Sequence, residues 1–242
     1  MEHRTLIPPV EEIQFRDSHR LVPARYRPKT AFRKVAGDLN LDALDELEFV
    51  TDTSQFPSHA GLSGISHREL VFGIPNAEIV RNTFRFAGDG GRFHDSNRGA
   101  WYAADELRVS ISEVGYHLAR RLKLAPGILV KRQQYAYDDW QADFHAEVYR
   151  MDRSKKLAKF LQSEPVPECY ADGQALARAL LGKRANGIVY PTVRDEHGLC
   201  IVCFRPALVY RPRLTESYTL TISLNGSGAF EILHSKGSPN AK

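Results

Sequence analysis

Cysteine is scarce in this sequence, and so are long apolar runs. Three cysteines occur among 242 residues, at positions 169, 200 and 203, and this small, odd number excludes a framework of paired disulfides. No apolar segment approaches the roughly 18–20 residues that span a bilayer. The polar residues at the N-terminus lead into no apolar signal segment. These absences predict a protein of a reducing, cytoplasmic compartment without a membrane anchor.

The sequence also lacks a strong charge of one sign. Lys and Arg number 33 against 29 Asp and Glu, which gives a formal net charge of +4. The basic residues stand among acidic ones, a distribution that is typical of a solvated surface and does not favour nucleic-acid binding. A small basic excess suits a pocket for an anionic small molecule equally well. A non-enzymatic basic binding module remains an alternative, although no regular basic or aromatic stripe is found.

The pattern of apolar residues and turn residues predicts one α+β domain. Apolar residues at helical spacing predict helices near residues 38–47, 105–122 and 172–182. Short apolar segments predict strands near residues 70–75, 83–86, 100–104, 128–130, 146–149, 187–190, 199–204, 218–222 and 229–233. We expect an N-terminal extension over residues 1–66, the main domain over 67–235 and a flexible tail over 236–242. The glycines at 88–91 lack the spacing of a dinucleotide-binding fingerprint.

A central block of short motifs carries a family resemblance. Its members are Gly90-Gly91-Arg92-Phe93-His94, then Gly99-Ala100-Trp101-Tyr102-Ala103-Ala104, then Ser112-Glu113-Val114. In order and spacing the block resembles the RES domain, a family named for an arginine, a glutamate and a serine. Further matches are Tyr170, Gln174, the segment 187–194 and Cys203-Phe204-Arg205-Pro206. The sequence departs from the family at His94, where many members have asparagine, and at Thr192, where the pattern expects serine.

This resemblance implies both a fold and an activity. The implied fold is an ADP-ribosyltransferase-like mixed β core with flanking helices. The implied activity is cleavage of the nicotinamide–ribose bond of NAD⁺ by the toxin of a toxin–antitoxin pair, by phosphorolysis to ADP-ribose 1″-phosphate or by hydrolysis. NAD⁺ would be a substrate, inorganic phosphate a co-substrate and an Xre-family antitoxin the partner, with no cofactor or metal. Protein ADP-ribosylation is an alternative, and formation of a homo-oligomer stays open.

The resemblance assigns six candidate site residues. Glu113 and Tyr102 are the catalytic candidates, and the candidates for binding NAD⁺ are Arg92, Arg20, Arg25 and Thr192. A guanidinium fork can bind two pyrophosphate oxygens, a tyrosine ring can stack on nicotinamide or ribose, and a carboxylate can offset the positive charge of the transition state. Arg20 and Arg25 compete for the role of one N-terminal arginine.

Two other interpretations compete with these assignments. Ser110-Ile111-Ser112-Glu113 fits a capping box, which would make Glu113 a residue that starts a helix. His145-Ala146-Glu147 and Cys200-Ile201-Val202-Cys203 loosely resemble the motifs of the zinc deaminases. However, cysteines three positions apart in a strand point to opposite faces. His117 follows Glu113 by four positions, so we expect it to line the pocket or to pair with the glutamate.

Overall fold

The computed structural model describes residues 6–27, 64–124, 132–224 and 230–237. Its helices are α1 (Ala77–Arg85), α2 (Leu107–Leu124) and α3 (Ala171–Gly182). Its strands are β1 (Val10–Pro23), β2 (Trp101–Ala104), β3 (Arg132–Arg150), β4 (Gly187–Pro191), β5 (Leu199–Cys203), β6 (Tyr210–Leu224) and β7 (Phe230–Lys236). The helix predicted near 38–47 and the strand predicted at 128–130 lie outside the described residues.

The strands form one mixed sheet that partly closes on itself. Their order is β1-β2-β5-β4-β3-β6-β7, and β1 also pairs with β3. Because β1 borders both β2 and β3, five strands close into a ring, and β6 and β7 extend from β3. Only the β3–β4 pair is parallel among the described pairs. The chain is a single α+β domain, as the sequence predicts, and none of its described helices could cross a membrane.

The first strand corrects the predicted domain boundary. β1 pairs with β3 from Val10 opposite Tyr149 to Pro23 opposite Tyr137. Residues 10–23 are therefore part of the central sheet and do not belong to a separate N-terminal extension. At the other end, Lys236 pairs with Tyr218 in the β6–β7 ladder, so the predicted tail begins inside β7.

Helix α1 replaces a predicted strand. Residues 70–75 form no strand, and the second predicted strand, 83–86, falls mostly within α1. Ile79, Val80 and Phe84 are buried on one side of this helix, where they join the core around Trp101. Burial against the sheet outweighs the strand preference of β-branched and aromatic residues, which is itself a preference for packed surfaces.

The other elements near the pocket agree with the sequence. Strands β2, β4 and β5, helices α2 and α3 and the antiparallel pairing of β6 with β7 are confirmed. Helix α2 begins at Leu107, so Glu113 lies almost two turns inside it and the capping-box interpretation is wrong. The hydroxyl of Ser110 instead accepts the backbone N–H of Leu21 at 3.3 Å, which ties α2 to β1.

Candidate functional site

A pocket of about 320 Å³ lies where α2 meets the Gly-rich turn and the strands β1, β2 and β4. This volume is in the range of small-molecule sites. Its lining residues are Arg20, Leu21, Gly90, Gly91, Arg92, His94, Tyr102, Ala103, Ala104, Ser110, Glu113, Val114, His117, Arg121, Tyr170, Tyr190 and Cys200. Four of the six predicted site residues, namely Arg20, Arg92, Tyr102 and Glu113, are therefore brought together.

One face of α2 forms a wall of the pocket. Glu113, His117 and Arg121 all line it and follow one another at intervals of four residues. Residues at this spacing lie one above the other on a helix, so the three side chains cover about 12 Å along its axis. The wall carries a carboxylate at one end and a guanidinium at the other.

A Cβ would be crowded at two positions of the Gly-rich turn. Gly90 has a φ of +88°, and a Cβ there would lie 2.9 Å from the carbonyl oxygen of His94. A Cβ on Gly91 would lie 2.8 Å from Cε1 of His94. The Gly91 N–H donates to the His94 carbonyl at 2.8 Å, and Nε2 of Gln174 donates to the Gly91 carbonyl at 3.0 Å. These contacts hold the turn that carries Arg92 to the pocket.

Tyr102 and His94 form a hydrogen-bonded pair whose proton positions can be deduced. Nε2 of His94 lies 3.1 Å from the carbonyl oxygen of Ala87, so this nitrogen carries the hydrogen. Nδ1 of a neutral ring is then an acceptor, and the Tyr102 hydroxyl donates to it at 3.0 Å. The same hydroxyl accepts the Phe93 N–H at 2.9 Å. Burial lowers the pKa of His94 and raises that of Tyr102, which is consistent with both rings being neutral.

The hydrogen bond to His94 determines what the hydroxyl of Tyr102 can do in a reaction. Its hydroxyl hydrogen is committed to His94, so this group has no proton to give to a bound ligand. The ring of Tyr102 is left for contact with a substrate, and its stacking role stays a prediction.

Arg92 is buried, with 8% of its surface exposed. Its Nη1 donates to the carbonyl oxygens of Phe160 at 3.1 Å and Gln162 at 2.6 Å, and its guanidinium lies 5.2 Å from the centre of the Tyr170 ring. Among the described residues, its Nε and Nη2 have no hydrogen-bond partner. The side chain is therefore fixed by one nitrogen and keeps donors for an anion.

Arg20 and Arg25 occupy different environments. Nη1 of Arg20 donates to the Tyr102 carbonyl at 2.9 Å, and its guanidinium lies 4.9 Å from the centre of the Trp101 ring. Burial lowers the pKa of Arg20 to about 10, so it stays charged at neutral pH. Its Nε is buried and has no hydrogen-bond partner in the described part of the chain. Arg25 is exposed, stacks on Tyr26 and is absent from the pocket lining, so of these two arginines it is Arg20 that lines the pocket.

Thr192 lies behind Glu113 and does not line the pocket. It is fully buried, and its hydroxyl donates to Oε1 of Glu113. The hydroxyl oxygen of Thr192 in turn accepts the backbone N–H of Arg194 at 3.1 Å. The Thr192 hydroxyl, at the position of the family serine, therefore orients the carboxylate. The sequence predicted that Thr192 binds NAD⁺ directly, but its place behind Glu113 gives it no surface in the pocket.

Sequence reasoning did not identify Arg121 as a site residue, and it included Tyr190 only within the matched family segment 187–194. Arg121 could have been found by extending the four-residue spacing from Glu113 and His117. Tyr190 belongs to a continuous apolar strand and gave no local signal; its ring packs edge-on against Phe93 with centroids 4.9 Å apart. Arg194 was quoted only as part of a family segment, yet its guanidinium lies 3.4 Å from the centre of the Tyr116 ring.

The residues of the zinc-deaminase interpretation do not converge. Cys200 packs in the cluster around Val202, and Cys203 packs in a different cluster around Trp101. His145 is exposed and pairs with Glu12 at 2.9 Å. No group of three or more His, Cys, Asp or Glu side chains in the described ranges could hold a metal ion. Their separation contradicts this alternative.

Comparison with known proteins adds a family to this fold and pocket. The sequence model of the RES domain matches residues 70–223, and the chain belongs to the RES domain family. No curated protein matches. Among solved structures, the M. tuberculosis MbcT–MbcA toxin–antitoxin complex aligns with a TM-score of 0.41 and 14% identity, over 87% of this chain and 84% of that chain. A likeness at this level does not support an inference about function.

Proposed function

We propose that the protein cleaves the nicotinamide–ribose bond of NAD⁺, with inorganic phosphate as the acceptor, and that it acts as the toxin of a toxin–antitoxin pair. A phosphate oxygen forms a bond to C1″ of the ribose while the bond from C1″ to the nicotinamide nitrogen breaks. The bonding electrons leave with nicotinamide, which becomes neutral. The products are nicotinamide and ADP-ribose 1″-phosphate, and no leaving-group proton is required.

One observation carries this proposal: a single oriented carboxylate, Glu113, shares a pocket with the guanidinium groups of Arg92, which is buried, and Arg20, which is half-buried. An oxocarbenium-like transition state places positive charge on the ribose, and a fixed carboxylate stabilises it because no reorganisation is needed. Thr192 fixes this carboxylate through its hydroxyl. A dinucleotide brings a pyrophosphate, for which Arg92 and Arg20 supply buried donors.

The aromatic residues of the pocket suit the neutral parts of the substrate. Tyr102, Tyr170 and Tyr190 all contribute to the lining. Their rings can exclude water and stack on the nicotinamide or the ribose face. The hydroxyl of Tyr102 is engaged by His94, which is compatible with a reaction that needs no proton donor at the leaving group.

The role as a toxin rests on the family resemblance. An Xre-type antitoxin that covers the pocket would keep the cellular NAD⁺ pool intact until the inhibitor is lost. A protein side chain can replace phosphate as acceptor after the same bond cleavage, so ADP-ribosylation of a protein is the outcome to look for if small acceptors fail.

The test is nicotinamide release from NAD⁺, with and without inorganic phosphate, followed by NMR of the products. We expect phosphate-dependent release and a signal of ADP-ribose 1″-phosphate. Free ADP-ribose without phosphate would identify a hydrolase. No nicotinamide release under either condition, by purified wild-type protein that is folded and free of a copurified inhibitor, would overturn the proposal.

A further inference from the structure

Positive charge accumulates at one end of the pocket, beyond Glu113. Burial and, after it, the positive charges of four guanidinium groups lower the pKa of His117 to about 4. These groups belong to Arg194, Arg121, Arg120 and Arg92. They come from the Gly-rich turn, from α2 and from the segment after β4, so the tertiary fold, and not one basic stretch of sequence, gathers them.

Three of these arginines are anchored by one segment of the chain. Arg92 donates to the carbonyls of Phe160 and Gln162, Arg194 donates to that of Ser163 at 3.4 Å, and Arg120 donates to that of Val166. Backbone carbonyls fix the direction of a guanidinium but do not neutralise it. The opposing carboxylates near this cluster are Glu113 and Glu164, so the cluster keeps an excess of positive charge.

On the pocket wall formed by α2, His117 is half-buried and Arg121 is exposed. Within the described ranges, His117 and Arg121 line the pocket and have no hydrogen-bond partner. The Nε of Arg194 and the hydroxyl of Tyr116 are buried nearby without partners. Side chains of a helix lean towards its N-terminus, so those of His117 and Arg121 lean towards Glu113.

We propose that His117 and Arg121, on the pocket wall formed by α2, make up a phosphate subsite near Glu113 that binds the acceptor of the reaction. This inference rests on the proposed function for its chemistry, since it identifies where the attacking phosphate is held. A phosphate bound there lies next to the carboxylate that stabilises the ribose cation. Neutral His117 donates one hydrogen bond, and the guanidinium of Arg121 donates to the phosphate and offsets part of its charge.

The subsite could bind either a free phosphate ion or a phosphate group of NAD⁺. The KM values for phosphate and for NAD⁺ distinguish the two. In Arg121→Gln, we expect the KM for phosphate to rise about tenfold through loss of a charge-assisted hydrogen bond, while the KM for NAD⁺ stays within about twofold. His117→Gln should raise the same constant by a smaller factor. Arg132→Gln removes an equal charge from an exposed position of β3 and should change neither constant.

A binding measurement keeps the inference testable without turnover. Isothermal titration of wild type with inorganic phosphate, at constant ionic strength, should show binding that Arg121→Gln weakens and Arg132→Gln does not. Phosphate binding by a protein that leaves NAD⁺ intact would support the subsite and contradict the proposed function. A rise in the KM for NAD⁺ alone, or no phosphate binding by the wild type, would overturn the subsite.

Discussion

Thr192 holds Glu113 from behind, through a hydrogen bond from its hydroxyl to Oε1 of the carboxylate. The two residues are 79 positions apart and come from β4's C-terminal side and from α2. Because Thr192 has no exposed surface, its effect on the pocket passes through Glu113. At the position where the family has serine, this chain therefore has a threonine that orients Glu113.

The first prediction concerns this support. Thr192→Val removes the hydroxyl, frees the carboxylate and leaves the backbone N–H of Arg194 without its acceptor. We expect kcat to fall at least tenfold and the free energy of unfolding to fall by about 1–3 kcal/mol. Thr192→Ser keeps the hydroxyl and should retain most of the activity. Steady-state nicotinamide release and urea unfolding measure both effects, and an unchanged kcat in Thr192→Val would contradict the role.

A second prediction tests Glu113 itself. Glu113→Gln keeps the shape and the acceptor oxygen but removes the charge that stabilises the ribose cation, so kcat should fall by at least about 100-fold. Since α2 begins at Leu107, Glu113 does not start the helix and the melting temperature should change little. Circular dichroism checks the fold. A variant that loses its helix content would revive a structural role for this residue.

The third prediction separates charge from geometry at Arg92. Arg92→Lys retains a positive charge but loses the fork that reaches Phe160, Gln162 and an anion together. We expect the KM for NAD⁺ to rise about tenfold or more, with a smaller change in kcat. Kinetics at saturating phosphate measure this. If the variant keeps the wild-type KM for NAD⁺ and its kcat falls strongly, Arg92 acts instead at the bond that breaks.

Acid should destabilise the protein through its pocket histidines. The pKa of His117 is lowered to about 4 by burial and by the surrounding arginines, while an unfolded histidine titrates near about 6.5. Between these values the unfolded chain binds a proton that the folded chain does not, so stability is fully present above about pH 6.5 and falls as the pH drops towards about 4. His94, whose pKa is also lowered, adds in the same direction.

Urea unfolding in phosphate-free buffer at a series of pH values measures this dependence. His117→Gln removes one of the two contributions and should flatten the loss of stability between neutral and acidic pH. His94→Asn, which restores the residue common in the family, should do so as well. A pH dependence as steep as that of wild type in His117→Gln would mean that the imidazole is not held neutral.

The sequence predicted the elements that bury their own apolar residues and missed those that depend on distant partners. Helix α2 and strands β4 and β5 carry clear apolar patterns, and the structure confirms them. Strand β3 was predicted only at 146–149 because its centre contains Asp138 and Asp139, which are buried. Arg27 and Ser217 bond to Asp138, and His19 and Thr215 bond to Asp139, all from remote segments.

The same limit applies to the pocket. Motif spacing found Arg92, Tyr102 and Glu113, because the family resemblance covers them. It could not choose between Arg20 and Arg25, since the two lie close together in the sequence and only the pairing of β1 with β2 and β3 decides which faces the pocket. Nor could it show that Thr192 supports the glutamate, because that contact joins two elements that are far apart in the chain.

The last prediction uses the tight turn before Arg92. Gly91→Ala would place a Cβ 2.8 Å from Cε1 and 3.0 Å from Nδ1 of His94, so the imidazole must move and its bond to Tyr102 is lost. We expect a loss of about 1–3 kcal/mol in the free energy of unfolding and a rise in the KM for NAD⁺. Gly182→Ala is the matched control: its Cβ would meet nothing within 4 Å, and alanine at the end of α3 should keep or raise stability. If both variants unfold like the wild type, the turn tolerates a methyl group and His94 is not held as tightly as its contacts indicate.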